Sequence, residues 1–229
     1  MIEIVDLKKV YGKKIVLSVE NLKIDKHELI GLVGNNGAGK TTMLSLILDL
    51  IPPTTGYVTS KSKKVSETDD WKTYTGSYLN DRFLIPFLTP IEFLEFIGSL
   101  HGIESAEVAD FLKANESFIE SDSFTGKYNR ELSEGNKNKI GILAAMLPKP
   151  EILILDEPFS NLDPSSQLWL KSKLKELNKQ GVTVLISSHD LKHVTEISSR
   201  ILLLEKGVIV KDTLTTDETL IELEKYFKI

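Results

Sequence analysis

The sequence predicts an α/β fold: a mostly parallel sheet, with an antiparallel β segment at the N-terminal side and a helical insertion in the middle. Three observations carry this. The runs Leu29-Ile30-Gly31-Leu32-Val33, Ile152-Leu153-Ile154-Leu155 and Val182-Thr183-Val184-Leu185-Ile186 have the length and composition of strands buried on both faces. The first run is followed, across a glycine-rich stretch, by a segment from Thr42 to Leu50 with apolar residues at Met43, Leu44, Leu46, Ile47, Leu48 and Leu50, which suits a buried helix. From Glu151 onward strand-like and helix-like segments alternate, the order that builds a parallel sheet.

Each element has its own justification. From Ile2 to Ile24 short alternating apolar and polar runs predict antiparallel strands. Lys26-His27-Glu28 is a turn, with His27 as a turn residue rather than a ligand. Pro52 to Asp70, rich in Pro, Thr, Ser and Lys, reads as loop with a short strand near Tyr57-Val58. Trp71 to Leu79 returns to strand composition. Arg82 to Pro148 is mainly helical, and Thr89-Pro90 opens a helix whose broad apolar face is Ile91, Phe93, Leu94, Phe96, Ile97 and Leu100. Asp163-Pro164 is an N-cap followed by proline at the first helical position. Asp217 to Ile229 reads as a short amphipathic helix. The expected organisation is one domain of 229 residues. Residues 1–81 and 151–229 form its core, with the antiparallel β part, and residues 82–150 form the helical insertion.

Two local motifs carry chemistry. Gly34-Asn35-Asn36-Gly37-Ala38-Gly39-Lys40-Thr41 lies between the first buried strand and the buried helix, and fits the phosphate-binding loop pattern. Its glycines let successive backbone N–H groups turn inward on an anion, and the helix N-terminus adds partial positive charge. Lys40 is placed for the β- and γ-phosphates and the Thr41 hydroxyl for Mg²⁺. At the end of the Ile152–Leu155 run, Asp156 is placed to hold Mg²⁺ and Glu157 to orient or deprotonate an attacking water. The expected nucleotide contacts run through Asn35, Asn36, Gly37, Ala38, Gly39, Lys40, Thr41 and Thr42, with ATP and Mg²⁺ as cofactors.

Composition sets limits. Lys plus Arg number 28 and Asp plus Glu 33, a net charge of -5, which argues against broad nucleic-acid binding. Cysteine is absent, so there is neither a disulfide framework nor a thiolate metal site. The first residues lead straight into strand-like Ile2-Glu3-Ile4-Val5, with no signal peptide expected. No apolar run approaches the roughly 20 residues that span a bilayer.

The remaining motifs, taken in order, give a family resemblance. Tyr11-Gly12 precedes the phosphate loop, and Leu132-Ser133-Glu134-Gly135-Asn136 precedes the acidic strand. Pro158-Phe159-Ser160-Asn161-Leu162-Asp163 follows it, and His189 ends the next strand. Over nearly its whole length the chain resembles the nucleotide-binding subunit of ABC transporters, with a P-loop NTPase core. The resemblance implies that Tyr11 stacks on adenine. Asn80 falls where the family has glutamine, contacting Mg²⁺ or the attacking water and linking to a membrane subunit. Ser133 and Gly135 imply contact with the γ-phosphate of ATP held by a second copy. Asp163 implies a bridge between the copies, and His189 a bond to the γ-phosphate. Asn80, Glu134 and Asn136 depart from the usual residues, and Glu134 is expected to point away from phosphate. Phe83, Leu84, Ile85, Phe87 and Leu88 are either a groove for a helix of the membrane subunit or the core of the helical part.

The function so implied is ATP binding and hydrolysis powering a transporter, of the exporter branch for drug, peptide, lipid or polysaccharide. The partners are a separate integral membrane permease and a second ATPase copy, identical or not, with no nucleic acid; the place is the cytoplasmic face of the membrane. The rival is a soluble ABC-type ATPase acting on ribosomes, DNA or another assembly. A regulator that binds nucleotide without turnover is opposed by Glu157 and His189.

Overall fold

The computed structural model describes residues 1–119 and 126–227. Strands β1 (Ile2–Tyr11) and β2 (Lys14–Ile24) pair antiparallel, and β1 pairs on its other side with β4 (Thr55–Ser60), which β5 (Lys63–Lys64) extends. The alternation in β1 and β2 puts Ile2, Ile4, Leu17 and Val19 inward. The second sheet combines β3 (Leu29–Val33), β6 (Thr75–Tyr78), β7 (Ile152–Leu155), β8 (Thr183–Ser188), β9 (Arg200–Glu205) and β10 (Val208–Leu214). Its order is β10-β9-β3-β8-β7-β6. Five of these strands run parallel, and β10 closes one edge antiparallel. The fold is therefore the α/β arrangement that the buried runs predict.

Both faces of this sheet are covered, as uninterrupted apolar strands require. Leu153 and Leu155 of β7, with Val184 and Ile186 of β8, face one apolar cluster; Ile152, Ile154 and Leu185 face the other. On the second side lie the antiparallel sheet and α1 (Lys40–Ile47). On the first lie α4 (Glu134–Met146) and α5 (Pro164–Lys179), and the same cluster continues into α2 (Pro90–Leu100) and α3 (Ser105–Ala114) through Phe93, Leu94 and Val108. The helical stretch and the sheet thus share one continuous core. α6 (Leu191–Thr195) and α7 (Thr219–Phe227) cover the β9 side.

Helix starts follow the local signals. Thr89 and Glu92 form a reciprocal capping box with Pro90 at the first position of α2, and Asp163 caps α5 ahead of Pro164. Three boundaries differ from the sequence expectation. Of the segment 71–79, only Thr75–Tyr78 is strand; Asp70–Thr73 is a 3₁₀ turn. Trp71 there turns inward and its indole N–H donates to the Val65 carbonyl at 3.0 Å, so its apolar character serves a turn. The segment 52–70 holds two strands instead of one. The C-terminal helix starts at Thr219, and the last two positions of the expected stretch, like 120–125 of the helical part, lie outside the described residues. His27 is a turn residue as expected: its φ is +65°, and its N–H donates to Thr183 Oγ1 at 3.0 Å. Among the described residues no helix is long and apolar enough to cross a membrane.

Candidate nucleotide site

The parallel topology brings the C-terminal ends of β3, β7 and β8 side by side. The phosphate loop leaves β3, Asp156 and Glu157 leave β7, and His189 follows β8. Ligands of open α/β sheets bind beyond the carboxyl ends of such strands.

In the loop, Gly39 has φ +109°, which only glycine adopts without strain, and this bend delivers the chain into α1. α1 has neither a side-chain cap nor an acidic residue in its first turn, so its first N–H groups remain for an anion. Lys40 is 6 % exposed; its Nζ donates to the Gly34 carbonyl at 2.7 Å and lies 3.2 Å from Glu157 Oε1. The Thr41 hydroxyl donates to Asp156 Oδ2 at 2.5 Å, and the Ser187 hydroxyl donates to Asp156 Oδ1.

Glu157 is held from several sides. Its backbone N–H donates to Ser187 Oγ at 3.0 Å, and Oε2 accepts from the His189 backbone N–H at 3.2 Å and lies 2.8 Å from His189 Nδ1. Its own φ is +48°, a left-handed conformation uncommon for glutamate that the surrounding bonds must sustain. Lys40, Thr41, Asp156, Glu157 and His189 therefore meet in one constellation. Ser187, which ties both acids together, escaped the sequence reading; its signal was only that it lies near the end of a buried strand, two residues before His189.

The donor set suits a hard divalent cation: one hydroxyl and one carboxylate, side by side, with no cluster of three or more His, Cys, Asp or Glu among the described residues to form a complete protein-only cage. Burial pushes the Asp156 carboxyl above the usual carboxylate range, against the Ser187 and Thr41 hydroxyls, which pull it down. A raised carboxyl stabilises the fold while protonated, and that contribution is lost as pH rises through the folded value. Asp156→Asn should accordingly leave nucleotide-free stability unchanged or raise its melting point by up to about 4 °C at pH 8, with the gap closing below the ordinary carboxylate value of about 4. Calorimetry across pH checks this; a variant that melts well below the parent at pH 8 contradicts it.

The other sequence-predicted residues sit around this centre. Asn80 lines a cleft of about 190 Å³ together with Asp156, Glu157, Glu134 and Asn161. Its Oδ1 accepts from the Arg82 backbone N–H at 3.0 Å, so it caps a 3₁₀ turn, Asp81–Phe83. Ser133 caps α4, accepting from the Asn136 N–H at 3.3 Å. The Glu134 carboxylate lies 2.8 Å from Lys137 Nζ, which also reaches Asp81 at 3.5 Å. Asp163 is engaged within the chain, and the Ser165 and Ser166 hydroxyls with the Ser166 N–H hold its carboxyl well below the usual range. Tyr11 is 53 % exposed at the end of β1, with Lys9 Nζ 5.0 Å from its ring centre. The apolar run 83–88 divides: Leu84 is buried and Ile85 and Leu88 pack on the core, while Phe83 and Phe87 are exposed. Phe83 and Leu84 also line a groove of about 280 Å³ with Tyr78, Phe93 and His101.

Known proteins resemble this chain throughout. A family model described as ABC transporter matches residues 17–160. The ABC transporter ATP-binding protein YhaQ of Bacillus subtilis (strain 168) is 35% identical over 207 residues, covering 90% of this chain and 69% of that protein. The linearmycin resistance ATP-binding protein LnrL of the same organism is 33% identical over 226 residues, covering 95% and 70%. Among solved structures, the dimeric ABC transporter cassette MJ0796 superposes with a TM-score of 0.85 at 26% identity, over 94% of this chain and 99% of that one. The same cassette in a post-hydrolysis state bound to ADP and Pi superposes with a TM-score of 0.82.

Proposed function

This chain belongs to the ABC transporter family as an ATP-binding cassette with ATPase activity, and from that premise we propose that it powers an exporter through a dimer closed by ATP. The observation that carries the reading is the convergence of Lys40, Thr41, Asp156, Glu157 and His189 at the ends of three adjacent parallel strands. The phosphate-loop N–H groups and Lys40 bind and orient the triphosphate. Glu157 accepts a proton from the water it aligns, and His189, bonded to it, fixes the carboxylate's direction. The Thr41 hydroxyl and the Asp156 carboxylate would hold Mg²⁺, which would supply neutralisation of phosphate charge. Most of the acceleration comes from positioning and charge stabilisation.

A second copy completes the site with Ser133 and Gly135, Tyr11 stacks on the adenine and Asp163 belongs to the loop between the copies. Asn80, at the rim, links the site to a membrane permease on the cytoplasmic face. The helical part, residues 82–150, is the lobe that meets the permease. Export is favoured because one relative at 33% identity is a resistance ATP-binding protein, and the dimer because a solved relative at 26% identity is dimeric.

The sandwich is tested by Ser133→Arg, with Ser133→Ala as a control for the lost helix cap, worth about 1 kcal/mol. Light scattering should show ATP-dependent dimers for the parent and for Ser133→Ala, and monomers for Ser133→Arg. Mixing Ser133→Arg with Lys40→Ala should restore one composite site and measurable hydrolysis. Dimers indifferent to Ser133→Arg contradict the arrangement. Purification from detergent-solubilised membranes should bring down an integral membrane protein; ribosomal or DNA-bound partners would favour a non-transport role.

A further inference from the structure

One face of α4 grips the loop that follows Glu157, through contacts that no part of the mechanism above uses. Gly135, Asn138 and Lys139 stand at spacings of three and four, the same face of a helix. Gly135 passes so close to the loop that a Cβ there would lie 2.4 Å from the Asn161 carbonyl oxygen. Asn138 Nδ2 donates to the Pro158 carbonyl at 3.0 Å and to the Ser160 carbonyl at 2.8 Å. Lys139, 4 % exposed, places its ammonium 3.3 Å from Asp163 Oδ2. The same ammonium lies 5.7 Å from the Phe118 ring centre, and Phe118 stacks on Trp169 of α5 with centroids 4.2 Å apart.

A buried lysine is expensive unless paired, and an apolar residue would fill this space at lower cost. Asp163 does not need Lys139 to be satisfied, since Ser165 and Ser166 already supply three donors and its side chain is 43% exposed. The pair therefore adds something other than a missing partner. It closes the far end of the loop onto α4, as Asn138 closes the near end. Glu157, in its left-handed conformation, is the residue from which that loop departs.

We propose that Lys139 is a positioning residue for ATP hydrolysis: with Gly135 and Asn138 it clamps residues 158–163 to α4 and so fixes the backbone that aims the Glu157 carboxylate. The proposal rests on the reading of Glu157 as the group that activates water. It makes α4, which carries Ser133 at its start, and the Glu157 loop one rigid unit.

Steady-state ATPase assays on the purified full chain test it, with Lys139→Met, Lys139→Arg, Asp163→Asn, the double variant Lys139→Met/Asp163→Asn and Glu157→Gln. Lys139→Met keeps the aliphatic stem and loses the charge. It should lower kcat by about 10-fold or more, since small misplacements of a catalytic group cost rate. KM for ATP should stay within about twofold, the mark of an interaction that acts on turnover and not on ground-state binding. Lys139→Arg should restore most of kcat. On the Asp163→Asn background Lys139→Met should cause no further loss, because the two act as one unit. Unchanged kcat in Lys139→Met, a rise in KM alone, or full additivity with Asp163→Asn overturns the proposal. If Lys139→Met does not fold, Asn138→Leu removes the other clamp and should show the same loss of kcat; parental kcat there overturns it equally. Near-parental turnover in Glu157→Gln would remove the premise as well, whereas slow Glu157→Gln beside normal Lys139→Met sinks the clamp alone.

Discussion

Glu157→Gln should bind ATP normally and hydrolyse it at least about 10²-fold more slowly, the scale of a lost general base. The amide keeps the size of the side chain and can still accept from the His189 N–H, which lies 3.2 Å from Oε2 in the parent. It cannot take a proton from water. Because binding and hydrolysis then separate, the variant should accumulate as an ATP-bound dimer. Rapid-quench kinetics and light scattering read both halves. Turnover near that of the parent would move the catalytic role away from Glu157.

Lys40→Ala should have the second large effect, on binding. Lys40 is the buried cation of the phosphate loop, and its ammonium is held by the Gly34 carbonyl and Glu157 until a triphosphate arrives. Hydrogen bonds to charged groups contribute about 1.5–3 kcal/mol, so ATP affinity should fall by roughly 10- to 10²-fold and hydrolysis should become undetectable. Isothermal titration with a slowly hydrolysed ATP analogue measures the first. Affinity within about threefold of the parent would exclude a direct phosphate contact of that strength.

What could be read from the sequence was what is local. The Gly34–Thr41 loop is a contiguous run whose glycines, lysine and hydroxyl act through backbone geometry, and buried parallel strands announce themselves as unbroken apolar runs such as Ile152–Leu155. The capped starts of α2 and α5 were legible for the same reason, because Thr89 bonds to Glu92 and Asp163 to Ser166 within one turn. Contacts between distant segments were not. Ser187 gains its role only when β8 is laid against β7, and Lys139 only when α4 packs beside the loop leading into α5. Trp71 misled because an aromatic residue buried in a 3₁₀ turn has the composition of a strand residue. Asn80 reads as a shortened glutamine by alignment of motifs, yet locally it is an ordinary turn cap, a role in which asparagine is favoured.

The left-handed backbone at Glu157 has a consequence for how this chain can change under selection. Glycine or asparagine would rest at φ +48° with less strain than glutamate does. Position 157 is therefore a place where endurance and turnover pull in opposite directions. A library of variants screened only for surviving heat should drift to Gly or Asn there, and sequencing the survivors would reveal it. A library screened for ATP turnover should hold glutamate in place, at a standing loss of robustness that other parts of the chain have to offset.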